Sequence, residues 1–254
     1  MKNALIYLVV FAAIQIGAGA AVQALWRLAT GNTDITAMML IATTLVYGVI
    51  TVAVFLLAKW SEVSRSYLKS RPWGVIFWSV MAAVGIIIPS AWFQEQIPEL
   101  RNVVEMQFDM ILRDRYGYVV VGLLAPIVEE LVFRGAILRA LLRWTPRHWL
   151  AIGVSAVFFA LIHFNPAQMP HALLGGMLLG WMYYRTGSIV PGVAFHWVNN
   201  SVAYLIYNVM PDPDMPLAVW FGGSQTRVTA ALLFSLCIFV PAIYQLAIRM
   251  RKAC

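Results

Sequence analysis

Residues 117–142 read GYVVVGLLAPIVEELVFRGAILRALL, an almost continuous apolar run with two adjacent glutamates, Glu129 and Glu130, and an arginine, Arg134, near its middle. A helix needs roughly 20 mostly apolar residues to cross about 30 Å of hydrocarbon, and this run exceeds that. Its apolar residues are contiguous and do not alternate, which selects a helix over a barrel strand. Reading outward, comparable runs lie near 4–26, 36–58, 73–93, 149–163, 171–184, 188–208 and 228–248. The sequence predicts an all-α, polytopic membrane protein of about eight transmembrane helices.

The rest of the composition agrees. Of 254 residues, 61% are hydrophobic and 11% charged, with a mean hydropathy of +0.77, so too little polar surface exists to clothe a water-soluble globule. The N-terminal run after Lys2 is longer than the roughly 7 to 15 apolar residues of a cleaved signal peptide, and reads as a retained helix. With no internal repeat or low-complexity linker, residues 1–254 read as a single membrane domain. Cys237 and Cys254 have no CxxC or CxxH neighbourhood, so neither a disulfide framework nor a cysteine-based zinc site is expected.

Charge placement gives an orientation. Setting the 59–72 loop, with Lys59, Arg65, Lys69 and Arg71, in the cytoplasm predicts an N-in, C-in arrangement. Lys2, Arg139, Arg143, Arg147, Arg185, Arg249, Arg251 and Lys252 then share that side with one acid, Glu62. The outer side collects Arg27, Arg101, Arg113, Arg115 and Arg227 among Asp34, Glu95, Glu99, Glu105, Asp109, Asp114, Asp212 and Asp214. The net charge of +7 is therefore topogenic: it predicts a multi-pass protein of the cell inner membrane, surrounded by lipid bilayer, with no nucleic-acid patch. Segment 94–116 interleaves its charges with Val103, Val104, Met106, Phe108, Met110, Ile111 and Leu112, the pattern of an interfacial amphipathic helix.

Among the acids only Glu129 and Glu130 fall inside a span, and Arg134 is the base well inside one. An ionised side chain at mid-bilayer costs at least about 2.5 kcal/mol, so these residues need partners and a reason. Glu130 and Arg134 are four apart on one helix face, the spacing of a charge-assisted pair. Glu129 is turned about 100° away, free to address neighbouring helices.

Two of the four histidines, His163 and His196, also lie in apolar runs. His148 reads as a solvated turn residue beside Arg147, and His171, after Pro170, as an end-of-helix or supporting group. Asn200 follows His196 by four, so imidazole and carboxamide address one cavity; Asn199, three on, is the alternative. At 1.5 Å per residue, Glu129, His163 and His196 lie about 18, 21 and 12 Å from the ends of their helices, all within the membrane. Gly176 and Gly180 on the sixth run, and Gly153, Ala156 and Ala160 on the fifth, supply small faces for close packing.

A carboxylate and an imidazole on facing helices can share a water, the Glu taking its proton as general base. A second imidazole and an amide can hold the oxyanion formed when that water attacks a carbonyl. The same donors suit a metal: Glu129, His163 and His196 would offer zinc two imidazoles and a carboxylate, although no H-E-x-x-H helix is present.

EELVFRGAILRALL (129–142), FALIH (159–163) and HWVNN (196–200) resemble the E-E-x-x-x-R, F-x-x-x-H and H-x-x-x-N motifs of the CPBP family, also called Abi. That family unites type II CAAX prenyl endopeptidases with bacterial membrane proteases and bacteriocin-processing or immunity proteins. The resemblance covers 117–208. It implies an intramembrane protease in which Glu129 is the catalytic base, His163 its water-orienting partner, and His196 with Asn200 the oxyanion pair, with Glu130 and Arg134 in support. Its peptidases are described both as glutamic and as metalloproteases; the metal-free reading is preferred, with zinc the alternative. The expected substrate is a peptide or protein in or near the membrane. Two other classes fit the same residues: a non-catalytic immunity or scaffold protein keeping a structural polar cluster, and a proton-coupled transporter using Glu and His as a relay.

Overall fold

The computed structural model describes residues 1–210 and 215–252, apart from the side chain of Arg65. Asp212, Asp214 and Cys254, used in the charge and cysteine analysis, lie outside the described residues.

Among the described residues the chain is all helix. The order is α1 (Lys2–Thr30), α2 (Ala37–Leu57), α3 (Arg65–Lys69), α4 (Trp73–Glu95), α5 (Glu105–Arg113), α6 (117–144), α7 (His148–Leu161), α8 (Met169–Thr186), α9 (Val190–Val209), α10 (Leu217–Trp220) and α11 (Gln225–Arg249). Their ends follow local chemistry. Gly31 closes α1 and Gly187 closes α8 in the left-handed conformation that glycine adopts without strain. Thr36 and Ser224 cap α2 and α11 by accepting from Met39 N–H and Arg227 N–H. Prolines sit in the first turns of α8 and α9, where no helical N–H is lost.

Among the described residues, four of the eight expected spans, α1, α2, α4 and α11, are long and apolar enough to cross a membrane by length and composition. Their outward faces remain apolar: Ile16, Leu57 and Phe234 are among the most exposed side chains of the molecule. A surface of that kind is solvated by lipid tails rather than water.

α6 is the hub. Every residue from Leu131 through Leu138 is buried, Arg134 included. α1, α2, α7, α8 and α9 pack against it. A second apolar core joins α4, α8, α9 and α11 through Val75, Ala82, Leu179, Phe195, Ala242 and Leu246. Close approaches are made where side chains are small: a Cβ on Gly176 would lie 3.0 Å from Ala156 Cβ, one on Gly180 2.9 Å from Ile152 Cγ2, and one on Gly85 2.6 Å from the Phe239 backbone nitrogen.

Three features depart from the sequence expectation. The fifth helix ends at Leu161 instead of 163, because Asn165 precedes Pro166, which disfavours helix at 165, and Phe164 turns left-handed at φ 49°. α6 changes its winding: Val119–Leu124 and Leu131–Leu138 are π-helical, with α-helical turns at Ala125–Glu130 and Arg139–Trp144. Only the second half of segment 94–116 forms the amphipathic helix, α5. That helix is fastened to α9 by Tyr207 Oη donating to Asp109, Tyr204 Oη to the Asp114 carbonyl and Asn208 Nδ2 to the Leu112 carbonyl.

Candidate active site

The two glutamates occupy the last α-helical turn of α6 before its second π stretch. π turns are often found at functional sites because they shift the register of side chains along one helix. Here the backbone oxygens around that register change carry extra partners from other elements. Asn200 Nδ2 donates to Val121 O at 3.0 Å, Ser61 Oγ to Leu131 O at 2.8 Å and Ser155 Oγ to Phe133 O at 3.1 Å. Three separate segments thus clamp α6 on both sides of Glu129–Glu130.

Glu130 and Arg134 form the expected pair, Nη1 to Oε1 at 2.8 Å, with both side chains fully buried. Arg134 Nη2 donates to the Gly176 carbonyl at 3.2 Å, and its guanidinium carbon sits 4.4 Å from the Phe159 ring centroid. Glycine at 176 therefore serves twice, letting α8 approach α7 and presenting its carbonyl to the arginine. Glu130 Oε2 lies against Gly192, where any Cβ would come within 2.6 Å of it.

His196 faces both carboxylates. Its Nδ1 is 3.2 Å from Glu130 Oε1 and its Nε2 3.7 Å from Glu129 Oε2. The sequence separates the two glutamates by rotation, and the structure brings them back together on opposite edges of one imidazole. A carboxylate only accepts, so Nδ1 carries a hydrogen toward Glu130. The 3.7 Å gap to Glu129 is too long for a direct hydrogen bond and leaves room for a water touching both groups at ordinary distances of about 2.8 Å. Glu129 is partly exposed, with 20% of its side chain accessible, whereas Glu130 is sealed. One carboxylate of the pair is reachable and the other is not.

His163 lies in the turn after α7. Its Nδ1 is 2.7 Å from the Phe159 carbonyl, an acceptor, which sets that nitrogen as the donor and leaves the lone pair on Nε2. His163 and His196 meet the same Phe159 ring edge-on, at centroid distances of 5.0 and 6.0 Å. Phe159 is thus the apolar wall that both imidazoles and Arg134 share. His171, on the first turn of α8, lies within electrostatic reach of both histidines. His148, the first residue of α7, stacks on Tyr184 at 4.3 Å.

Among the described residues, no group of three His, Cys, Asp or Glu side chains is arranged to hold a metal ion.

Several neighbours of the site have no sequence signature. Ser61, Ser155 and Gly192 read as ordinary residues until the fold brings them to α6, whereas Phe159 is the first residue of the F-x-x-x-H motif. Tyr47 on α2, close to Glu129, Gln15 and Thr44, is of the same kind. A serine inside an otherwise apolar run is the one hint available for Ser155, since a buried hydroxyl requires an acceptor.

Residues 113–202 match the family model described as Type II CAAX prenyl endopeptidase Rce1-like. No curated protein and no solved structure matches the chain.

Proposed function

From its assignment to the CPBP family of CAAX proteases over residues 113–202, we propose that the chain is an intramembrane endopeptidase. It hydrolyses a peptide bond of a membrane-associated peptide or protein with side chains alone, zinc being the alternative. The observation that carries this reading is the reachable Glu129 set beside His196, which is itself anchored by the sealed Glu130–Arg134 pair.

In the proposed reaction Glu129 takes a proton from a water that His163 orients through the lone pair of its Nε2. The water oxygen attacks the scissile carbonyl carbon, and the negative charge passes to the carbonyl oxygen. His196, donating from Nε2, and the second N–H of Asn200 hold that oxyanion. Glu129 then returns its proton to the departing amine, the C–N bond breaks, and a carboxylic acid and an amine leave, the acid giving up the water's second proton to become a carboxylate. Proton transfer by a positioned carboxylate contributes about 10²- to 10⁴-fold in rate.

A second arrangement exchanges the imidazoles, with His196 orienting the water, and is favoured by its 3.7 Å approach to Glu129. A structure with a phosphinic peptide bound separates the two: His163 stands against the oxygen that replaces the water in the first, His196 in the second.

The proposed setting is one membrane domain of eight spans in the inner membrane, with both termini in the cytoplasm and 117–208 as its catalytic core. Cleavage of a peptide library by the purified protein tests the reading. Glu129→Ala, His163→Ala and His196→Ala should each abolish product formation seen by mass spectrometry; wild-type rates in all three would overturn it.

A further inference from the structure

A second polar feature lies at the other end of the α6 hub. The first turn of α1, the turn after α2 and the last turns of α6 enclose an open cavity of about 420 Å³. Ala136, Arg139, Ala140 and Arg143 recur at three- and four-residue intervals, so one face of α6 forms its wall. Lys2 and Lys59 come from the other two elements, and Trp60 and Trp144 complete the lining.

Four cations around one cavity repel one another unless an anion sits among them. Glu62 is engaged by Arg139 Nη2 at 2.6 Å and does not line the cavity. Arg139 Nη1 is buried and, among the described residues, has no hydrogen-bond partner. Lys59 is held at the rim in a left-handed backbone conformation, φ 56°, that a lysine adopts only under constraint. Trp60 is locked beside it by Tyr7 and Phe55, at ring distances of 4.9 and 5.4 Å.

We infer that this cavity binds a phosphate group, as carried by the headgroup of an anionic phospholipid. Guanidinium forks and lysine ammonium groups together match phosphate oxygens. The volume falls within the range of about 300 to 1,000 Å³ of small-molecule sites. Trp144 and neighbouring Trp149 are half exposed, as indole rings are where headgroups meet hydrocarbon. Basic pockets between helices at the cytoplasmic surface are where acidic headgroups dock. The inference rests on the membrane reading and is independent of proteolysis.

The test is thermal unfolding of the full-length protein in a non-ionic detergent, titrated with dihexanoyl phosphatidylglycerol, dihexanoyl phosphatidylcholine or inorganic phosphate. The phosphatidylglycerol should raise the melting midpoint saturably, and the phosphatidylcholine should not. A shift reproduced by inorganic phosphate at equal concentration supports the phosphate site and names a free anion as its source. The double variant Lys59→Gln/Arg143→Gln should keep its unliganded midpoint and bind at least about tenfold more weakly. If that variant fails to fold, Lys2→Gln alone should weaken binding by about threefold or more. Equal shifts from the two lipids, or variant affinity equal to wild type, would overturn the inference.

Discussion

Glu130–Arg134 and Asp109–Arg113 are both ion pairs four residues apart on a helix, at 2.8 and 2.6 Å. Both side chains of the first are sealed, while those of the second are 60% and 42% accessible. Geometry is therefore nearly the same and the surroundings are opposite. In the buried pair neither charge has water to return to, so loss of one partner strands the other. In the exposed pair either partner is rehydrated, and the contact adds little. Burial also sets what each group can meet: the sealed pair holds His196, and Glu129 beside it stays reachable.

The sharpest way to break this comparison is Arg134→Leu, which strands Glu130 and should destabilise the protein by about 3 to 5 kcal/mol. Chemical unfolding in detergent followed by circular dichroism measures it, and wild-type stability would end the distinction. The double variant Arg134→Leu/Glu130→Leu should recover part of that loss, since no charge is then buried alone.

Gly192→Ala comes next. Its methyl would press on Glu130 Oε2, whose carboxylate is pinned by Arg134 and His196 and has little freedom to move. A cost of about 1 to 3 kcal/mol is expected in the same assay. Ser155→Ala leaves the π-helical Phe133 carbonyl without its hydroxyl donor and should cost about 1 kcal/mol.

The smallest effect belongs to the exposed pair. The Tyr207 hydroxyl, and then the Arg113 guanidinium, hold the Asp109 carboxyl below its ordinary value of 3.8. A group lowered by folding stabilises above its unfolded value, and the benefit is lost as pH falls through the lowered one. Asp109→Asn should therefore lower the melting midpoint slightly, by the same amount throughout about pH 5 to 8, where the wild-type carboxylate is ionised and its benefit fully present. The difference between the two proteins should close as pH falls below 3.8 and the carboxylate takes up its proton, and a gap that persists there would contradict the assignment.

The sequence is most informative where one physical requirement dominates. Long apolar runs place the helices to within a few residues because lipid-facing segments leave no alternative to internal backbone hydrogen bonding. The Glu130–Arg134 pair is legible for the same reason, as a buried charge four residues from its opposite has few other partners. The end of α7 is legible in retrospect from Asn165–Pro166. The π turns of α6 are not, because they depend on Ser61, Ser155 and Asn200, which reach α6 from 22 to 79 residues away. His196 bridging the two glutamates is likewise tertiary: helical rotation separates the carboxylates, and only the position of α9 reunites them.

The most direct measurement compares Glu129→Gln with wild type for both cleavage and melting in the same detergent. Glu129 is the accessible member of the cluster and carries no part of the sealed pair. The account predicts that cleavage falls by about 10²- to 10⁴-fold while the melting midpoint stays within a degree or so of wild type. Cleavage by Glu129→Gln at the wild-type rate would contradict it.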